Sequence, residues 1–184
     1  KGYENAFQGY NLITIVRNDS DIKTMEDLKG RTVAHTAVSS NSGNLAPRAL
    51  FPGLGVVPDE DYKVAYSGKH DQSVMGVLSG DYDAAPVASD VYDRMVEAGR
   101  VKEDDFRIIY RSARFPTSAF GYAHDLHPEL VSKIKSAFDS YRFPAEMQAD
   151  FDGADRFFPI TYKNDWEVVR NIAHATGTAY TARG

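Results

Sequence analysis

Cysteine is absent from this 184-residue chain, which excludes a disulfide framework, a thiolate zinc site and cysteine catalysis while leaving the redox compartment open. Basic residues are outnumbered and scattered: the formal net charge is −5, and no Lys/Arg cluster able to release counterions from a phosphate backbone occurs, so no nucleic-acid partner is expected. No apolar run approaches the ~18 to 20 residues that cross a bilayer. The opening Lys1-Gly2-Tyr3-Glu4 lacks the charged start and apolar middle of a secretion signal. There is no Gly-x-Ser-x-Gly nucleophile elbow, and Gly53-Leu54-Gly55 lacks the third glycine and the preceding strand of a dinucleotide fingerprint.

What is present is the composition of an ordinary globular protein, 42% hydrophobic and 26% charged, enough for one domain or two small ones. The β-branched run Leu12 to Arg17 predicts a strand ending at the turn Asn18-Asp19-Ser20. Thr24 is placed to cap a short helix over 25–29, with Gly30 as its stop. A strand over 32–36 then precedes a helix opened by Ser39-Ser40-Asn41-Ser42-Gly43 and closed at Pro52-Gly53. The alternation repeats: strand 62–66, helix 70–79 with Gly80 as its stop, a short run 83–88, helix 90–97 before Gly99, and strand 106–110. Pro86 makes the 83–88 strand either short or an edge. A last strand over 118–123, a helix after Pro128 and a final helix over 165–174 complete the pattern. Such alternation predicts an α/β layer fold with a largely parallel sheet.

In open α/β sheets ligands bind beyond the carboxyl ends of the strands, where helix N-termini present free N–H groups. Ser39-Ser40-Asn41-Ser42-Gly43 lies at such a place and offers hydroxyl, amide and backbone donors to a small oxyanion, although the same residues serve ordinary N-capping. Tyr66-Ser67-Gly68-Lys69-His70 is the second such loop, with Gly68 allowing a tight turn and His70 in the first turn of the next helix, as an anion donor or as a capping side chain. Four or five charge-assisted bonds at roughly 1.5–3 kcal/mol each reach the ~8 kcal/mol of a micromolar complex before ordering costs.

Other constellations carry less. Ser40, His70 and Asp90 supply a nucleophile, a base and an orienter by residue type alone, which is weak without an elbow, so no catalytic residues are expected. His124, Asp125 and His127 flank a Pro-started helix and read as a polar helix entry, so no metal site and no cofactor are expected. Tyr141, Phe143, Phe151, Phe157 and Phe158 are spaced irregularly and read as core aromatics.

Tyr10 before a hydrophobic strand, Asp27-Leu28-Lys29-Gly30-Arg31-Thr32-Val33-Ala34, Ser40-Asn41-Ser42-Gly43 with Pro47, Ser67-Gly68-Lys69-His70-Asp71, Gly80 to Ala85 and Arg114-Phe115-Pro116 follow one another along nearly the whole chain. In this order they resemble the landmarks of the phosphonate/phosphite substrate-binding proteins of ABC transporters. The resemblance implies a type II periplasmic-binding-protein fold: one complete α/β lobe, the hinge strands and the C-terminal part of the other lobe, without that family's opening segment. Residues 1–20 would end lobe I and form the first hinge strand, 21–118 lobe II, and 119–184 the second hinge strand and the rest of lobe I.

The same resemblance assigns Ser40, Asn41, Ser42 and His70 to the ligand's oxygens and Tyr10 to a hinge-side hydroxyl donor. Asn41 stands where many relatives have Thr. Asp90 matches an acidic position that holds an ammonium group in aminoalkylphosphonate binders, whereas Ser118 stands where those binders often have Asp. A buried ammonium needs matched charge, so the expected ligand is a small phosphorus oxyanion: phosphite, hypophosphite or methylphosphonate. The implied partners are that ligand and the membrane subunits of an ABC permease, for a monomer located in the periplasm or lipid-anchored outside a Gram-positive cell. A binder of another phosphonate or small anion, or a ligand-sensing domain of a membrane receptor, are the alternatives.

Overall fold

Side chains of Gly9–Arg17 (β1) alternate between two apolar cores, Leu12 and Val16 entering one, Ile13 and Ile15 the other. That is the two-residue period of a strand covered on both faces. The computed structural model describes residues 9–116, 119–150 and 153–177, which divide into two units. β1 is central to the first, built from Gly9–Phe115 and the helix Glu167–Ala175.

Four more strands complete its sheet: Thr32–His35 (β2), Lys63–Tyr66 (β3), Ala84–Ala88 (β4) and Phe106–Pro116 (β5). The strand order is β3-β2-β4-β1-β5. β2 pairs in parallel with β3 and β4, and β1 runs antiparallel to β4 with Leu12 opposite Ala88 and Val16 opposite Ala84. Pro86, opposite Thr14, therefore sits in the middle of the sheet; of the two arrangements open to it, the strand is short, five residues.

A π-helical turn, Asn41–Leu45, runs directly into Ala46–Leu50 (α1). Ala46, Phe51 and Val33 fill the Leu12 core, joined by Ile172 of the helix at 167–175. His70–Ser79 (α2) and Ser89–Glu97 (α3) cover the other face with Val74, Val77, Tyr92 and Met95. Gly80 ends α2 at φ 85°, the left-handed conformation that costs glycine least.

The structure differs from the sequence expectations at three places. The helix over 25–29 is a single 3-10 turn, Glu26–Leu28, and Thr24 does not cap it. Asp27 instead reaches back, its carboxylate accepting from the Lys23 and Thr24 amides and the Thr24 hydroxyl. These bonds, the Lys23 amide foremost, hold its carboxyl below the usual range. β5 runs on to Pro116, and Ala119–Ala123 form no strand; an extended segment needs a ladder partner, and β5 has already taken the free edge of β1. The final helix breaks at Trp166 into Tyr162–Asp165, capped by the Thr161 hydroxyl, and Glu167–Ala175. The latter packs in the first unit, where Ile172 joins the Leu12 core and Val168 packs against it. Glu167–Ala175 is thus grouped with Gly9–Phe115, and the second unit ends at Trp166.

The second unit, Pro116–Trp166, contains Pro128–Ser140 (α4), Ala145–Asp150 (α5) and Tyr162–Asp165 (α6), which makes Glu167–Ala175 α7. His127 Nδ1 caps α4 by accepting the Glu129 amide. Among the described residues no group of three or more His, Asp or Glu is placed to hold a metal ion, and no helix is long and apolar enough to cross a membrane. Phe157 centres an aromatic cluster, 4.8 Å from both Phe138 and Phe143. Phe143 is buried, while Tyr141 and Phe158 are half-exposed and Phe120 is 77% exposed; Phe151 lies outside the described residues.

One buried group makes the fold acid-sensitive. His35 is fully buried, and that burial pushes its pKa from 6.5 down to about 4, against the opposing pull of its hydrogen bond with Asn44. Because the folded-state pKa lies below the unfolded one, the unfolded chain binds a proton that the folded chain refuses. Stability therefore falls as pH drops through the window between 6.5 and about 4, by on the order of 3 kcal/mol from this group. Urea midpoints measured from neutral pH to pH about 4 should fall steeply in the wild type and less in His35→Gln; equal slopes would remove His35 as the cause.

Candidate functional site

β2, β3 and β4 point their carboxyl ends the same way, and antiparallel β1 brings its amino end to that edge. Loops 36–43, 67–70 and 88–90 and the side chain of Tyr10 are thereby gathered at one rim of the sheet. The chain leaves β2 toward β3 and returns on the other side as β4, so this rim lies at a topological switch point. Backbone pairing continues past the strand ends: Ser67 N donates to His35 O and Gly68 N to Thr36 O, both at 2.8 Å. The Ser67 hydroxyl, 2.6 Å from Ser73 Oγ, ties the turn to α2.

Ser40 is extended, and its Oγ accepts the Gly43 amide at 3.2 Å, an N-cap. That hydroxyl keeps its own proton to donate. Helical bonding begins with Asn44 N and Leu45 N, both onto Ser40 O, so the amides of Asn41 and Ser42 belong to the first turn, where intrahelical acceptors are lacking. Gly43 is required by space: its amide serves the cap, its carbonyl accepts from Thr36 N, and a Cβ there would overlap the Thr36 side chain.

The state of His70 is set by the backbone. Ala88 N donates to His70 Nδ1 at 3.3 Å, so Nδ1 holds a lone pair and the neutral ring carries its proton on Nε2, 3.5 Å from Ser42 Oγ. Burial lowers the pKa of His70, with the carboxylates of Asp90 and Asp71 pulling the other way. This tautomer cannot take a proton from a serine through Nε2, and Nδ1 faces an amide where a catalytic histidine would face a carboxylate. Asp90 pairs instead with Arg94 at 3.1 Å, and Ser40 is occupied as a cap. The Ser40, His70, Asp90 constellation does not assemble.

The structure does bring together Tyr10 and Asn41, whose Nδ2 donates to Tyr10 Oη at 3.3 Å, and Ser42 and His70. The Tyr10 ring rests on Phe115, centroids 5.7 Å apart. Asp90 lies in the first turn of α3, two residues after Ala88, half-exposed; Ser118 lies outside the described residues. Sequence reasoning missed the Ala88 amide, which has no side-chain signal, and Asn44, which reads as one more polar residue after the Ser39–Gly43 loop; its spacing of four from Arg48, which bonds it, was the available clue.

Residues 2–165 match the family described as ABC transporter, phosphonate, periplasmic substrate-binding protein. The phosphate-import protein PhnD of Mycolicibacterium smegmatis is 29% identical over 195 residues, covering 95% of this chain and 60% of that protein. The chain thus spans only about 60% of the length of this relative. PhnD1 from Prochlorococcus marinus, solved in complex with methylphosphonate, superposes with a TM-score of 0.77 at 17% identity over 95% of this chain and 70% of its own. A binding protein component of an ABC phosphonate transporter from Pseudomonas aeruginosa gives a TM-score of 0.71 at 21% identity, covering 92% of this chain and 59% of its own. These likenesses identify the fold as the type II periplasmic-binding-protein fold, of which the chain forms part.

Gly43→Ala is expected to lower stability by about 1–3 kcal/mol, the usual cost of overpacking, as measured by urea unfolding. In Gly43→Ala combined with Thr36→Ala, which removes Oγ1 and Cγ2 but keeps the Cβ at 2.8 Å, part of that loss should be recovered; additive losses would mean that the two side chains do not compete for the same space.

Proposed function

The chain belongs to the family of periplasmic phosphonate-binding components of ABC transporters, and from that premise we propose that it captures a small phosphorus oxyanion on the donors of this rim and hands it to a membrane permease. Phosphite, hypophosphite and methylphosphonate are the preferred ligands. The observation that carries the reading is the amide of Ala88 on His70 Nδ1, which commits the ring to donating through Nε2 beside the Ser42 hydroxyl. The first-turn amides of Asn41 and Ser42 add dipolar donors of the kind that hold anions at helix starts, and the hydroxyls of Ser40 and Tyr10 border them.

The charge balance supports a ligand without an ammonium group. Asp90 already pairs with Arg94, so a cationic substituent would have to displace an existing partner, and Ser118 offers no second carboxylate. The methylphosphonate held by the Prochlorococcus marinus protein agrees with this preference. Phosphate is the second reading, favoured by the name of the Mycolicibacterium smegmatis relative. Discrimination against it requires that its extra hydroxyl find no partner, at roughly 1–3 kcal/mol for an unpaired buried group. As the receptor of an importer, the protein would work outside the cytoplasmic membrane.

Calorimetric titration with methylphosphonate, phosphite, hypophosphite, phosphate and 2-aminoethylphosphonate at one salt concentration tests this. Tight binding of the first three is expected, weakened about ten- to hundredfold in His70→Ala by loss of one charge-assisted bond. Phosphate binding as tightly would select the second reading, and silence toward all five would overturn both.

A further inference from the structure

Behind the donor loop lies a buried cluster of polar side chains that the ligand reading leaves unused. His35, at the end of β2, has both ring nitrogens engaged: Nε2 lies 2.9 Å from the Tyr62 hydroxyl and Nδ1 2.8 Å from Asn44 Oδ1. Asn44 Nδ2 donates to the Val38 carbonyl at 2.7 Å, which leaves Oδ1 to accept. His35 must therefore carry its proton on Nδ1, and Nε2 accepts from Tyr62. Burial raises the Tyr62 pKa, so that hydroxyl keeps the proton it donates. Asn44 also donates its backbone N–H to Ser40 O at 3.1 Å, so its main chain and side chain together bracket residues 38–40.

We infer that His35 is a positioning residue for the donor loop: it orients Asn44, which draws the Val38 carbonyl inward and sets the turn from which Ser40, Asn41 and Ser42 are presented. The inference rests on the reading of those three residues as ligand donors. The bonds run one way, from Tyr62 to His35, from His35 to Asn44 and from Asn44 to the loop. Arg48 Nε and the Tyr66 hydroxyl donate to the same Asn44 oxygen at 3.1 and 3.4 Å, and Arg48 pairs with Asp59 at 2.8 Å. Arg48 and Asp59 are the charged groups around the imidazole; the guanidinium and the burial favour the neutral ring, and Asp59 opposes them. A side chain that merely filled space would require the ring but not the direction of its proton.

Amide hydrogen exchange and imidazole nitrogen shifts, both read without ligand, test this in the chain. The nitrogen shifts should report Nδ1–H for His35 and Nε2–H for His70. His35→Phe should speed exchange at Ser40 and Asn44 about tenfold, the size of one buried hydrogen bond, and leave Val87 in β4 unchanged. His35→Gln, which retains a donor, should restore most of the protection. If the Phe variant does not fold, Tyr62→Phe removes only the hydroxyl and should give a smaller change at the same two amides. An Nε2–H tautomer at His35, unchanged exchange at Ser40 and Asn44, or a uniform rise across the sheet would overturn the inference. A parallel titration of the wild type with methylphosphonate separates the two readings, since silence there removes the ligand while the exchange data still decide the role of His35.

Discussion

The antiparallel pairing of β1 with β4, Leu12 to Val16 set against Ala88 to Ala84, governs where everything else can lie. Had β1 run parallel, Tyr10 would stand at the opposite rim, seven residues or about 23 Å away, and could not meet Asn41. The pairing is held by apolar burial on both faces: Leu12, Ile13, Ile15 and Val16 are fully buried, each contributing roughly 1.5–3 kcal/mol. Tyr10 and Asn11 continue that strand into the rim. There Asn11 N donates to Ser89 Oγ and its side chain to Ser112 O, so core packing is converted into the placement of polar groups.

At the rim itself the chemistry is that of fixed, uncharged donors. Ser40 closes the helix start with its lone pair and keeps its proton; His70 closes β4 with Nδ1 and keeps its proton on Nε2. Each side chain satisfies a backbone amide and retains a donor, so under the proposed function an arriving oxyanion would meet groups that need little reorganisation. Under that proposal the surface would suit reversible capture, because a ligand would exchange bonds with water for bonds with oriented dipoles and no bond within it would be broken.

The layer behind the rim shows what a precisely curved loop costs. His35, Asn44, Tyr62 and Arg48 are polar groups placed beside an apolar core, tolerable only because they satisfy one another. Thr36 Oγ1 and Thr14 Oγ1, by contrast, are buried without a partner among the described residues. Thr36 packs closely on Gly43, where a Cβ would overlap its side chain.

Much of this was legible in the chain of residues. The β-branched runs, the glycine stop at Gly80, the helix start at His70 and the polar loop before Asn41 are local signals, set by steric preference and by backbone groups within a few residues. The order of landmarks from Tyr10 to Pro116 carried the family. What was not legible is non-local: that Pro86 sits mid-sheet, that β5 runs on to Pro116 while 119–123 form no strand, and that Glu167–Ala175 packs on the β1 core. The proton on His70 belongs to the same class, since it is decided by an amide eighteen residues away. Which segments fold and which loops bear donors could be read locally, because propensity and capping act over one turn. Strand order, tautomer and the partner of each donor could not, because they depend on which distant backbone groups the packing of β1 and β4 brings within hydrogen-bond reach.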